Sequence, residues 1–338
     1  MKKVLSVFNY LLFLLLGGLF LWLVFRDLDA TEIISQIVHA NYWWISGSIA
    51  AGILAHLVRA ARWNILIGSM GYQTRLSTTF YAVMTGYLSN VAIPRLGEVT
   101  RCGVLSKKQG IPFTPLLGTV IAERVFDMFI MLLIILLVIL FQLKLVGGFV
   151  DKHVFSPLFM NFESNLLPIL LILAIIVMFF LSAWFIWRVY RKRLERLLFF
   201  RKLSSFAGGL SDGIKTIKRT RNKGMFLLYT ILIWFLYCLM IYLPFFSMHD
   251  TSHLDFGDAI TVMSIGSLGI VAPVPGGIGT YHFIVKATLY ELYGIEQAAA
   301  ASFATITHAA QSLMIICVGG LSFLMLFLQK NHKNHGLS

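Results

Sequence analysis

The sequence predicts an all-α polytopic membrane bundle, a single transmembrane domain over residues 1–338 with one broken helical segment in each half. Three observations predict it. The 338 residues are 58% hydrophobic and only 13% charged, the balance of a membrane protein rather than a soluble one. The apolar runs are about 20 residues long, the length that crosses a bilayer, and short polar stretches join them. Two runs, at Ser89–Arg101 and Ile270–His282, are interrupted by proline and glycine. Broken backbone survives at membrane depth only where protein buries it or where it lines a wet cavity, so the two breaks mark the functional centre.

Taken in order, Val4 to Phe25 is the first span, too long and without the small-residue cleavage site of a signal peptide. Lys2 and Lys3 put its start in the cytoplasm. Arg26 to Asn41 reads as an outer loop, and Tyr42, Trp43 and Trp44 anchor the start of a second span that ends near Ile67. Arg59 and Arg62 share one face near its inner end, either snorkelling to the interface or holding a lipid phosphate. Leu76 to Ile93 enters the membrane and stops at Pro94, and Lys107 and Lys108 indicate a return to the side of entry. Pro112 and Pro115 begin the next piece, which carries Glu123, Arg124 and Asp127 and continues to about Leu143, closing a first half of about residues 1–143. Charges at the mouth of a span must pair or face a cavity. Arg124 and Asp127, three apart, are spaced to pair on one helix, while Glu123 and Asp127 need a cation between them, from Arg124 or Arg101.

The second half, about residues 166–330, begins with a span over Leu167–Trp187. A basic cytoplasmic segment follows, residues 188–223, with twelve Lys or Arg against Glu195 and Asp212. This accounts for most of the +13 net charge and points to anionic lipid rather than nucleic acid, since its aromatics show no stacking order. Met225 to Phe246 goes out again, and His249, Asp250, His253 and Asp255 read as a solvated loop in preference to a metal site. Phe256 to Ala272 stops at Pro273, Thr280 to Tyr293 follows the break, and Ala298 to Leu328 crosses back. Both termini are then cytoplasmic, provided that each broken segment returns to its own side. Cys102, Cys238 and Cys317 have no paired spacing and read as packing residues.

Two constellations carry the chemistry. In Asn90 to Arg101, Pro94 ends one helix and Gly97 permits a sharp path, while Arg95, Glu98 and Arg101 follow at three-residue steps along one helical face. The planar guanidinium suits phosphate. Glu98 alternatively neutralises the two arginines in a purely structural knot. In Pro273 to Gly279, Gly276, Gly277 and Gly279 allow backbone amides to face a cavity at a helix N-terminus, where an anion is favoured. The sequence has no nucleophile elbow, phosphate-binding loop or zinc-protease motif, so no enzyme and no cofactor or metal are expected.

Together Asn90–Arg101, the Glu123-Arg124-x-x-Asp127 set and Pro273–Gly279 resemble the lysylphosphatidylglycerol synthase transmembrane-region family of flippase-like membrane proteins, here without the soluble aminoacyltransferase domain. The resemblance implies two pseudo-symmetric halves whose re-entrant helices meet at a central cavity, and lipid translocation without synthesis. Where the family often carries a glutamate three residues after the glycine turn, this chain has His282, which favours a neutral or anionic lipid, or a polyprenyl phosphate, over an aminoacyl lipid. The expected protein is a multi-pass flippase of the bacterial cytoplasmic (inner) membrane whose partners are phosphate-bearing lipids. Its substrate-binding residues are Arg62, Asn90, Arg95, Glu98, Arg101, Glu123, Arg124, Asp127, Gly276, Gly277, Gly279 and His282. The alternative is a membrane-embedded enzyme modifying a lipid head group. A homo-oligomer stays open.

Overall fold

The computed structural model describes residues 2–141, 178, 222–271 and 274–329, with side chains for 13–140, 178, 222–269 and 274–329. The Leu167–Trp187 span and the basic segment 188–223 fall almost wholly outside these residues. Apart from Met178, the described residues belong to one compact unit, Met1–Phe141 with Gly213–Ser338. Its described residues form ten α-helices: α1 (Lys2–Phe25), α2 (Ala30–His39), α3 (Tyr42–Gly68), α4 (Leu76–Ala92), α5 (Leu96–Gln109), α6 (Phe113–Phe141), α7 (Lys223–Phe245), α8 (Phe256–Val271), α9 (Thr280–Tyr293) and α10 (Gln297–Leu328). Among the described residues three of them, α3, α7 and α10, are both long and apolar enough to cross a membrane by length and composition.

Local chemistry sets several helix starts. Asp29 accepts from the Thr31 N–H at 2.8 Å and opens α2, a helix inside what reads from sequence as plain loop. Asn41 does the same for α3 through the Trp43 N–H, behind the aromatic anchor. Asp255 and Asp258 each accept the other's backbone N–H at 2.9 Å, closing a reciprocal cap on α8. Asp255, which the sequence places in a solvated loop, therefore serves the start of α8 together with Asp258 of the helix itself.

The architecture repeats. In the first half a 27-residue helix, two short helices of 17 and 14 residues and a 29-residue helix follow one another. In the second half the lengths are 23, 16, 14 and 32. In each half the two short helices fold back on one another as a hairpin. Asn90 faces Gly97 and Gly86 faces Arg101 in the first, while Gly269 faces Thr280 and Gly266 faces Val285 in the second. Both broken segments are thus re-entrant, which the sequence left dependent on a topology count.

The two hairpins open toward opposite ends. One apolar cluster gathers the end of α3 (Leu66, Ile67), the open end of the first hairpin (Leu105, Ile111), the start of α6 (Leu116) and the start of α7 (Phe226). At this end Gln329 after α10 accepts from Thr78 at 3.1 Å through its side chain and from Lys108 at 2.7 Å through its carbonyl. The other cluster gathers the start of α3 (Ile45), the end of α7 (Phe245), the open end of the second hairpin (Leu289) and the start of α10 (Ala299). The Asn41 N–H donates to the Ser247 carbonyl at 2.8 Å beside it. The halves are therefore inverted copies, packed through α3 against α7 and α4 against α10.

Candidate functional site

The first break is built by its proline. Ile93, before Pro94, is extended at φ −135° and ψ 116°, which ends α4. Arg95 then turns left-handed at φ 66°, the one non-glycine residue in that region among those described, and α5 starts at Leu96. Such backbone costs on the order of 1–2 kcal/mol and collects at functional sites. The hairpin closes because Gly86 and Gly97 cross with almost no space between backbones: a Cβ on Gly97 would collide with the Gly86 carbonyl oxygen. The Asn90 carboxamide oxygen completes the crossing by accepting from the Gly97 N–H at 2.6 Å.

Beneath this crossing lies a buried ion network drawn from three helices. Arg62 on α3, fully buried, holds Asp127 on α6 with both arms of its fork, at 2.7 and 2.9 Å, and Glu123 at 2.9 Å. It also donates to Thr230 on α7 at 3.1 Å. Arg59, one turn earlier, donates to Asp127 at 3.1 Å and stands 3.7 Å from Glu123. Arg101 on α5 binds the second oxygen of Glu123 at 2.9 Å. Arg124 pairs with Glu98 at 3.0 Å at the rim, where its side chain is 40% exposed. Aromatic faces support three guanidiniums: Tyr237 at 5.8 Å from Arg59, Phe226 at 5.4 Å from Arg62 and Trp63 at 4.7 Å from Arg101.

This corrects the local pairings expected from spacing. Arg124 and Asp127 share a helix but not a bond, because α3 brings Arg59 and Arg62 to Asp127 while α5 brings Glu98 to Arg124. Arg95, Glu98 and Arg101 do not form one helical face with Glu98 balancing both arginines, since Arg95 precedes the helix and is exposed. Arg59 is neither snorkelling nor peripheral; it is 3% exposed and central. The signal that placed Arg62 in the site, a shared face three residues apart, applied equally to Arg59.

Four guanidiniums face three carboxylates in this network, leaving one positive charge in excess. The Nε atoms of Arg59, Arg62, Arg101 and Arg124 are buried without a hydrogen-bond partner, as is the Arg59 Nη1. A void with room for about one water, lined by Gly86, Tyr87, Asn90, Gly97, Arg101 and Arg124, lies between the break and the network. Arg95 is exposed and Arg124 half-exposed, whereas Arg101 and Arg62 are buried.

The second break lacks charge. Gly276, Gly277 and Gly279 all take positive φ, at 60°, 72° and 83°. Gly279 must be glycine for a further reason: α1 crosses here so closely that a Cβ would collide with the Gly17 carbonyl oxygen. The turn amides are occupied internally, Gly277 N–H to Val274 O, Ile278 N–H to Pro275 O and Gly279 N–H to His282 Nδ1. The expectation of free backbone donors is corrected for these three groups, because the turn folds onto itself before any ligand arrives. The His282 ring also lies 4.6 Å from that of His308 of α10, tilted by 53°, and the His308 Nε2 donates to the Gly276 carbonyl at 2.9 Å.

Comparison with known proteins places the chain among membrane proteins. No solved structure matches the chain. A UPF0104 membrane protein of Methanocaldococcus jannaschii is 30% identical over 129 residues, 37% of this chain and 38% of that protein. Another, from Methanothermobacter thermautotrophicus, is 24% identical over 306 residues, 85% of this chain and 86% of that protein. Glycosyltransferase AglD of Haloferax volcanii is 22% identical over 92% of this chain but only 53% of its own length. The family described as lysylphosphatidylglycerol synthase TM region matches residues 10–319, and with nearly the whole helical bundle inside that match the chain belongs to this membrane-protein family.

Proposed function

We propose that this chain is a flippase that moves a phosphate-bearing lipid, a phospholipid or a polyprenyl phosphate, between the leaflets of a bacterial cytoplasmic membrane without changing it chemically. The observation that carries this reading is the excess guanidinium charge at the first break, set beside a small polar void and held in a medium of low dielectric. There an anion is attracted far more strongly than in water. Arg124 and Arg101, with Asn90, would meet the phosphate, Arg95 would gather it at the mouth, and the Arg59, Arg62, Glu123 and Asp127 core would hold these groups in place. The acyl chains stay in lipid, so only the head group needs the polar path. The three carboxylates are each held by arginine, which weighs against acid–base chemistry.

Charge asymmetry supports the orientation. Lys107, Lys108 and Lys223 lie at the end where the first hairpin opens, while Glu32, Asp250, Asp255 and Asp258 lie at the other. The positive end faces the cytoplasm. Each hairpin would then admit head groups from its own side, the arrangement that inverted repeats use for alternating access.

The test is a proteoliposome assay with fluorescent lipids that differ only in head group, read by accessibility to an external quencher. Faster equilibration for phosphate-bearing lipids, lost in Arg124→Gln and Arg95→Ala, is the expected result. No acceleration for any lipid by folded protein overturns it. A second reading, an enzyme acting on a lipid head group, draws on the printed name of the Haloferax relative. It requires a new chemical product from labelled lipid in detergent, where no leaflets exist.

A further inference from the structure

The second hairpin buries a pair of imidazoles that head-group binding leaves without a task. His282 and His308 are 6% and 9% exposed, with ring centroids 4.6 Å apart. Their bonds fix where the hydrogens sit. The Gly279 N–H points at His282 Nδ1 at 3.4 Å, so that nitrogen is an acceptor and carries none. The Gly276 carbonyl only accepts, so His308 Nε2, 2.9 Å away, carries its hydrogen. The two rings differ in what a further proton would meet. On His282 it would enter Nδ1 and oppose the Gly279 N–H. On His308 it would enter Nδ1, 3.5 Å from the Ser312 hydroxyl oxygen, which can accept it.

We propose that His308 Nδ1 is a proton-binding site and that this proton is the ion coupled to lipid movement. One proton taken up from the aqueous phase adds to Nδ1, where the Ser312 hydroxyl turns from donor to acceptor, and the imidazolium keeps its Nε2–H bond to Gly276, which becomes charge-assisted and roughly twice as strong. A second proton on the pair is opposed by the first at this ring separation. The proton therefore ties α10 to the glycine turn, and its release loosens the turn against α4 and α1. The turn packs directly on α4, whose C-terminal residues Tyr87 and Asn90 line the void of the first hairpin. An anion that cancels the excess positive charge there also lowers the repulsion felt by a proton on His308, so each ligand favours the other, as reciprocity of coupling demands.

The titratable groups facing His308 are Tyr281, at 5.4 Å between rings, and His282, both on α9. Farther along the packed elements are His56, Arg59 and Arg62 on α3, Tyr81 and Tyr87 on α4, Tyr229, Tyr237 and Tyr242 on α7, Asp258 on α8, Lys286 and Glu291 on α9 and Glu32 and His39 on α2. The described side chains of α1 include none.

Two measurements on the full chain in lipid test this. The first, independent of transport, is a titration of ¹⁵N-histidine spectra, with His308 assigned by its loss in His308→Gln. His308 is expected to pass from its Nε2–H tautomer to the doubly protonated form ahead of His282 as the pH is lowered. His282 should stay neutral, and Ser312→Ala should move the midpoint downward. A His308 that remains neutral to about pH 4.5, or a His282 that takes the proton first, overturns the site. The second builds on the flippase reading and imposes a pH gradient on proteoliposomes with symmetric fluorescent lipid. Wild type should build a several-fold leaflet asymmetry that a protonophore abolishes while equilibration continues, and His308→Gln should lose it. Equilibration without any response to the gradient overturns the coupling and leaves the flippase reading standing, whereas absent equilibration removes that reading but not the titrating site.

Discussion

The two re-entrant hairpins have nearly the same backbone and opposite chemistry. Glu98 and His282 are both the third residue of their hairpin's second helix, and Glu123 and His308 lie ten and eleven residues into the long helix that follows. In the first half those positions carry full charges whose partners come from three helices. In the second they carry imidazoles bonded to backbone and hydroxyl groups. The same fold therefore tolerates either a salt-bridged or a neutral polar centre. What differs is the penalty for losing one member, because an uncompensated buried charge is far worse than an unpaired neutral donor.

That contrast can be broken first where it is largest. Glu123→Ala strands Arg101, takes one partner from Arg62 and should destabilise the protein by about 3–5 kcal/mol, read as thermal unfolding in detergent. His308→Ala, which removes one bond to Gly276, should cost about 1–3 kcal/mol by the same measurement. Equal losses would show that the charged centre is no more demanding than the neutral one. Next, Gly97→Ala and Gly279→Ala both place a methyl against backbone, at the α4–α5 and α1–turn crossings. Each should lower stability by about 1–3 kcal/mol, with the Gly279 change the worse because its φ is also positive. The smallest effects on folding fall at the rim. Arg124→Gln breaks a half-exposed pair and should change stability by less than about 1 kcal/mol while slowing transport strongly. Arg95→Gly should raise stability by about 1 kcal/mol by relieving the left-handed turn, yet still impair capture of the lipid. If Arg95→Gly transports normally, the backbone path and not the guanidinium is what the break requires.

Much of the fold was legible because its signals are local. Apolar length set α1, α3, α7 and α10, and proline with glycine set both breaks. Asp29 could have announced α2, since a capping aspartate precedes Thr31 and Ile33, Ile34, Ile37 and Val38 recur at helical spacing behind it, but the stretch is too short to span and so read as loop. Most members of the buried ion network were legible as charged residues in the sequence, but its bonds were not. Spacing along one helix predicted Arg124 with Asp127, whereas the bidentate fork on Asp127 belongs to Arg62, sixty-five positions away in sequence.

By itself the sequence determined that this chain is an all-α membrane protein with two interrupted segments, because the length and continuity of an apolar run are properties of neighbouring residues. Only tertiary structure decided that both interruptions are hairpins opening to opposite ends, and that Arg59 belongs with Arg62 at the centre. It also decided that the glycine turn spends its amides on itself. Each of these depends on which helix packs against which, and a buried charge takes whatever partner that packing brings within reach.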